Sequence, residues 1–179
     1  SSNKSTTNKD MADWKRELAL VALGAASGLF IASLSRSNEN AQIVKRFLKA
    51  QSDRDLDKMC ELVSEDIIYI NEPHPPERTI KGKRMFREAF SASPCIWCPE
   101  ADLQTKQMSV CGNTVFVERL DRFHVDGVWL EIPICGYLKV KNGVIYYWKD
   151  YWDYSKYKEF VVRHFGPEFS LFRLTRNLT

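Results

Sequence analysis

Residues 115–123 form a strand pattern that carries two charged residues of opposite sign on an otherwise apolar side. Because side chains alternate between the two faces of a strand, Arg119 and Asp121 share this side. An ion on a core-facing surface costs on the order of several kcal/mol unless it is paired. We interpret the pair as the floor of a catalytic pocket. A structural ion pair on a solvated face is the alternative that this stretch alone leaves open.

Two further strand patterns place polar side chains on inward faces. Tyr69 and Asn71 share a face in residues 66–71, and Asp150 lies between aromatic residues on one face of residues 144–152. Each has an ordinary explanation, as a core tyrosine, a turn residue before a proline and a strand-end cap. Their coincidence on the inward faces of separate strands favours a shared polar site.

Two carboxyl groups such as those of Asp121 and Asp150 can supply one acid and one base when their surroundings separate their pKa values. Apolar burial raises the pKa of the carboxyl that stays neutral, and a nearby guanidinium helps the other to stay charged. Such a set is suited to activating water. Proton abstraction from a carbon acid by Asp150, as in an isomerase or cyclase, is a weaker alternative.

Other nucleophiles and metal ligands have little support in the pattern. His74 follows a proline, His124 lies on the outward phase of its strand and His164 lies near the end of the chain, so all three are predicted to be surface or structural histidines. Cys95 and Cys98 form a single CxxC without a second pair or a histidine cluster, which is more typical of buried thiols than of zinc or redox chemistry. We expect no cofactor and no metal.

Composition limits the classes of partner. A chain of 179 residues that is 44% hydrophobic supports one domain with a proper core. A net charge of +3, with scattered lysines and arginines, does not indicate a nucleic-acid partner. The five cysteines are odd in number and have no framework-like spacing, which favours a reducing, cytoplasmic compartment.

Residues 18–34 carry no charge and are flanked by basic residues. Their length is at the short limit for crossing a bilayer, which takes about 17–25 residues. Their richness in Ala, Gly and Ser weakens the apolar drive. We expect a membrane anchor (for example in the endoplasmic reticulum) or an interfacial helix, with a helix packed on protein as the alternative.

The predicted helices come mainly first in the chain, and a long meander of strands follows them. Asp126-Gly127 and Asn142-Gly143 are strong hairpin signals because they tolerate positive φ. The layout predicts an α+β fold with a strongly curved mixed or antiparallel sheet wrapped around helices, leaving a cavity. The domains are expected at 1–37 (flexible start plus apolar helix), 38–165 (catalytic) and 166–179 (tail), with a linker and a helix cap at residues 35–38. Helices are predicted at 39–51, 53–63, 79–90 and 155–163, and strands at 66–71, 103–110, 115–123, 128–140 and 144–152.

Three blocks of the chain resemble one enzyme family. Residues 69–76 read Tyr-x-Asn-x-Pro-x-Pro-Pro, residues 118–121 read Glu-Arg-x-Asp and residues 150–153 read Asp-Tyr-x-Asp. Together, in this order and spacing, they resemble the active-site blocks of limonene-1,2-epoxide hydrolases. The resemblance implies a fold like that of nuclear transport factor 2 and SnoaL proteins, a homodimer, and hydrolysis of an epoxide to a vicinal diol without metal or covalent intermediate.

The resemblance also implies a role for each polar residue. Asp150 would be the general base, Tyr69 and Asn71 would hold the attacking water, Asp121 would be the protonated general acid, and Arg119 would orient both carboxyl groups.

The apolar side chains that line the predicted cavity should select the substrate. Their large size suits a hydrophobic epoxide such as a lipid, terpenoid or sterol derivative. A non-catalytic module that holds a hydrophobic ligand or a protein partner on the same fold is the main alternative. The candidate wall residues are Phe47, Leu48, Ile132, Ile134 and Trp152.

Overall fold

The computed structural model describes residues 4–125 and 127–166. The chain divides into two units between Arg36 and Ser37, and helix α1, Lys4–Ser52, runs through this boundary. The sequence predicts a flexible start over residues 1–10 and a linker with a helix cap at residues 35–38, and the structure shows helix over residues 4–10 and 35–38. The linker prediction is wrong because this stretch contains neither proline nor glycine, the residues that break helices most strongly.

In the first unit, the uncharged stretch of α1 exposes large aliphatic side chains. Leu20, Val21 and Leu23 are 61%, 70% and 65% exposed. None of the helices in the described part of the chain combines the length and apolar character needed to cross a membrane. The structure therefore gives no support to the spanning anchor that residues 18–34 suggest.

The second unit is built on one six-stranded mixed sheet, which confirms the predicted α+β class. Its order is β2-β1-β6-β5-β4-β3. β1 and β6 run parallel, and every other neighbouring pair is antiparallel. The strands are β1 Val63–Glu72, β2 Ile80–Lys81, β3 Ala101–Cys111, β4 Thr114–Val125, β5 Val128–Lys141 and β6 Val144–Trp152.

Edge strand β2 escapes prediction from sequence. It has two residues, too few for a period-2 pattern to show, and it lies inside the helix predicted over residues 79–90. The helix begins instead at Lys83, after Gly82, whose φ of 87° favours glycine. A 3₁₀ turn over Pro76–Arg78 fills the proline-rich segment before it.

Local capping explains where the remaining short helices begin. The Asp55 carboxylate accepts the Lys58 backbone N–H at the start of α2, and that of Asp153 accepts two backbone N–H groups at the start of α5. The Asn142-Gly143 turn has positive φ at both residues, as predicted. In the other turn Asp126 lies outside the described residues. The helices after α1 are α2 Leu56–Glu61, α3 Lys83–Ser91, α4 Pro94–Trp97 and α5 Tyr154–Phe165. The tail from 167 to 179 also lies outside the described residues.

An aromatic cluster joins the helices to the sheet. Trp148 of β6 is fully buried and meets Phe47 of α1 edge-on, with ring centroids 5.1 Å apart. Phe90 of α3 stacks on the same indole at 5.5 Å. Burying side chains of this size contributes about 1.5–3 kcal/mol each. The cluster therefore fixes the indole of Trp148, whose N–H points toward the site described next.

Candidate active site

A cavity of about 460 Å³ lies between the inward face of the sheet and the helices. Arg119, Asp121 and Asp150 line it, and each is at most 4% exposed. Strand alternation brings them there, since β4 and β6 both bury every second residue at these positions. The three charged residues thus lie at a buried wall of a cavity that is otherwise mostly apolar.

Arg119 joins the two carboxyl groups. Its Nη1 and Nη2 donate to Asp150 Oδ1 and Oδ2 at 3.1 and 2.6 Å. Its Nε donates to Asp121 Oδ1 and Oδ2 at 3.0 and 3.3 Å. The planar guanidinium has the donor geometry for this double contact, which a lysine ammonium cannot reproduce. Arg119 thus lies between the two carboxyl groups, as the family resemblance implies.

Asp150 receives further support from its own strand and from the neighbouring one. The indole Nε1 of Trp148, two residues earlier on the same face, donates to Asp150 Oδ1 at 2.7 Å. Gly136 of β5 pairs with Asp150 across the ladder. A Cβ at position 136 would lie 2.2 Å from Asp150 Oδ1. The absent side chain at Gly136 leaves the space that the carboxylate occupies.

A single guanidinium lies between the two buried carboxyl groups. One guanidinium neutralises one carboxylate, and a second buried negative charge would be uncompensated. Burial raises the pKa of Asp121, although Arg119 acts in the opposite direction. Burial opposes the charge of Arg119, but the two carboxylates raise the pKa of Arg119 well above its usual value. The raised pKa favours the neutral form of Asp121, while the Arg119 guanidinium stays charged.

Tyr69 and Asn71 lie beside Asp150 on the adjacent parallel strand. Asn71 pairs with Asp150 in the β1–β6 register, and Tyr69 pairs with Trp148. Trp152 Nε1 donates to Asn71 Oδ1 at 2.7 Å, which fixes this amide with its nitrogen available. Among the described residues, no hydrogen bond to the Tyr69 hydroxyl is formed. Burial and the Asp150 charge raise the pKa of Tyr69, so the hydroxyl remains a donor.

The apolar wall agrees with the sequence prediction in three of five residues. Ile132, Ile134 and Trp152 line the cavity. Phe47 and Leu48 belong instead to the core, where Phe47 is fully buried against Trp148. Neither residue lines the cavity, because both are packed in the core, Phe47 against the indole of Trp148.

Sequence reasoning missed other residues of the cavity wall. Gln51 continues the inward stripe of α1 one turn after Phe47 and reaches the cavity. His74, which the sequence predicts to be a surface or structural histidine, also lines the cavity, and its ring meets Trp152 edge-on at 5.6 Å. Burial and nearby Arg78 lower the pKa of His74. The i, i+4 spacing of Gln51 from Phe47 was a usable signal. For His74, the position depends on the fold of the proline-rich segment.

The two cysteines of the CxxC have separate environments. Cys95 lines the cavity, and burial is the main cause that raises the pKa of its thiol to about 12. Cys98 is fully buried, and its thiol donates to the His124 carbonyl oxygen at 3.5 Å. The raised pKa keeps the Cys95 thiol protonated, and because the thiolate is the reactive form, this thiol is a poor nucleophile.

Comparisons with solved structures identify the fold. A protein from Catenulispora acidiphila with a ketosteroid isomerase-like fold is 16% identical over 64% of this chain and 87% of its own, with a TM-score of 0.56. An LEH-like epoxide hydrolase from M. tuberculosis is 22% identical over 71% and 92%, with a TM-score of 0.59. SalBIII, described as an epoxide hydrolase/cyclase-like enzyme, is 15% identical over 66% and 94%, also at 0.59. The second unit therefore has the fold shared by nuclear transport factor 2 and ketosteroid isomerase.

A comparison with protein families identifies a narrower class of protein than the fold does. The model of the limonene-1,2-epoxide hydrolase catalytic domain matches residues 38–163. The chain belongs to this family, and the match contains Arg119, Asp121 and Asp150 together with both water-holding candidates.

Proposed function

We propose that this protein hydrolyses a hydrophobic epoxide to a vicinal diol in one step, with water as the nucleophile. The observation that carries the proposal is the Arg119 guanidinium bound to two buried carboxyl groups at the wall of an apolar cavity. Membership in the epoxide hydrolase family supports it. A carrier of hydrophobic ligands would gain nothing from burying three ionisable groups there, because such groups are costly to desolvate.

Asp150 is the general base in this mechanism. A water molecule held by Tyr69 and Asn71 gives a proton to Asp150 while its oxygen forms a bond to one epoxide carbon. The Asp150 carboxylate suits this task because charge-assisted hydrogen bonds from Arg119 and a hydrogen bond from Trp148 hold its oxygens in place.

Asp121 is the general acid. As the carbon–oxygen bond of the ring breaks, the leaving oxygen takes the proton of Asp121, so that a hydroxyl rather than an alkoxide forms. After product release, Asp150 loses its proton to solvent and Asp121 regains one. Acid and base assistance each contribute roughly 10²–10⁴-fold.

The apolar wall of the cavity indicates the class of substrate. Ile132, Ile134 and Trp152 face the cavity and suit a lipid, terpenoid or sterol epoxide. A volume of about 460 Å³ is in the range of small-molecule sites.

A substrate screen tests the proposal. The purified protein is incubated with a panel of terpenoid, fatty-acyl and sterol epoxides, and diols are detected by mass spectrometry against protein-free controls. We expect diol formation that saturates with substrate. Tight binding of these compounds without any diol would contradict the proposal and favour a non-catalytic binding module.

The resemblance also predicts a homodimer. Sedimentation velocity at several protein concentrations measures this directly. We expect a single species of twice the chain mass, and a monomer at all concentrations would contradict the prediction.

A further inference from the structure

Gln51 is a buried polar residue that the mechanism above does not use. Its side chain is only 2% exposed, yet it lines the same cavity as the carboxyl groups. Its neighbours on the inward face of α1, such as Phe47 and Leu48, are apolar core residues. A leucine or methionine at position 51 would continue that face, so the amide needs an explanation.

The amide has one weak partner in the protein. Gln51 Nε2 donates to Cys95 Sγ at 3.6 Å, and no other side-chain hydrogen bond of Gln51 occurs among the described residues. Thiol sulfur is a poor acceptor. If the amide oxygen and nitrogen exchange places, the Cys95 thiol donates to the oxygen, and the nitrogen then occupies the position where the oxygen was. In either orientation, one end of the amide has no partner in the described protein.

The position of this amide relative to the acid is also defined. Cys95, its partner, belongs to one buried cluster with Phe123, which follows Asp121 by two residues on the same face of β4, and Ile132, which pairs with Asp121 in the β4–β5 ladder, packs against that cluster. Gln51 therefore lies at the Asp121 end of the cavity. A ligand whose epoxide oxygen faces Asp121 presents the atoms next to the ring to Gln51.

We propose that the natural substrate is an oxygenated epoxide, with a hydroxyl or carbonyl group close to the ring that forms a hydrogen bond with the Gln51 amide. This inference rests on the proposed function, because it assumes that the ring lies against Asp121. It narrows the class from any hydrophobic epoxide to one with a polar group near the ring and an apolar remainder.

Matched substrates test the inference. Three epoxides of equal chain length are compared: one without further oxygen, one with a hydroxyl on the carbon next to the ring, and one with the hydroxyl at the far end. Wild type should have the highest kcat/KM for the second. Gln51→Met, of similar size, should lower the preference for the second over the first by roughly 10–100-fold, since it removes the hydrogen-bonding group. Ile134→Val, in the apolar wall, should change all three alike.

The cyclopropane analogues of the same three compounds separate this inference from the proposed function. They cannot be hydrolysed, so calorimetry reports their binding to both proteins without chemistry. We expect tighter binding of the near-ring alcohol by wild type and loss of that advantage in Gln51→Met. Diol formation with an unchanged preference in Gln51→Met would overturn the inference and leave the hydrolase proposal intact. A Gln51-dependent binding preference without any diol would leave the assigned ligand chemistry intact and overturn the hydrolase proposal.

Discussion

Gly136 and Asp150 are paired across the β5–β6 ladder so closely that any side chain at position 136 would force neighbouring atoms to shift. A Cβ there would lie 2.2 Å from Asp150 Oδ1, 2.7 Å from the Lys149 carbonyl oxygen and 3.3 Å from Asp150 Cα. Two of these atoms belong to the backbone and cannot move aside as a flexible side chain can. The position of the candidate base is therefore determined partly by a residue of another strand that has no functional group.

This relationship predicts the effect of Gly136→Ala. The added methyl group should push the Asp150 carboxylate away from Arg119, lower turnover at least tenfold and reduce the free energy of unfolding by about 1–3 kcal/mol. Gly24→Ala is the matched control, because no atom lies within 4 Å of the Cβ it would add. Kinetics and denaturant unfolding measure both effects. Wild-type turnover in Gly136→Ala would show that the base tolerates displacement, contrary to the account.

The shape of the Arg119 guanidinium should matter as much as its charge. Arg119→Lys keeps the charge but cannot hold Asp121 and Asp150 together, and breaking a buried ion pair typically costs about 3–5 kcal/mol. The control is Arg122→Lys, because Arg122 on the same strand also joins two carboxylates, Asp102 and Glu131, but is 29% exposed. Its stability should change by less than about 1 kcal/mol. Equal effects in the two variants, measured by urea unfolding, would argue against a special role for the buried bridge.

The candidate base is tested by Asp150→Asn. The amide keeps the size of the side chain but cannot accept the proton of water, so turnover should fall at least 100-fold. Binding of a diol product should stay nearly intact, as calorimetry can measure. Asp66→Asn, on the outward side of β1, is the control and should behave like wild type. Loss of folding in Asp150→Asn would indicate a structural carboxylate instead.

The candidate acid gives a prediction about pH. Since burial raises the pKa of Asp121, its acid form persists at pH values above the usual aspartate pKa of about 3.9. The single-turnover rate should fall as the pH rises through the raised pKa. The measurement is a rate profile at constant ionic strength, and a rate that is independent of pH over this range would exclude Asp121 as the acid.

The same group links stability to pH. A proton that the folded state holds more tightly contributes stability that is present below the unfolded pKa and is lost as the pH rises through the folded pKa. Asp121→Asn stays neutral throughout, so wild type should lose stability relative to this variant across that window. A constant difference in the free energy of unfolding between the two proteins would mean that the pKa of Asp121 is not raised.

The polar site was predictable because strand alternation is a strict rule. The spacing of Arg119 and Asp121 places both on one face, and the spacing of Trp148 and Asp150 does the same on the last strand. A period of two needs only a few residues to show the direction of each side chain. The α+β class followed from the order of helices and strands, but the parallel pairing of β1 with β6 did not.

The cavity wall was less predictable because it depends on how helices are placed over the sheet. Phe47 and Gln51 lie on one face of α1, and periodicity alone does not tell which turn packs on Trp148 and which borders the cavity. His74 follows the same logic, since its position is determined by the proline-rich segment and not by a repeating pattern. The linker prediction at residues 35–38 failed because polar composition alone does not end a helix.

Isotope labelling during a single turnover tests the central claim most directly. Enzyme in excess over epoxide is mixed in oxygen-18 water, and both the diol and the protein are analysed by mass spectrometry. The account predicts one labelled oxygen in the diol of the first turnover and none in the protein. An unlabelled diol with oxygen-18 in a protein carboxylate would show attack by an aspartate side chain and contradict direct attack by water.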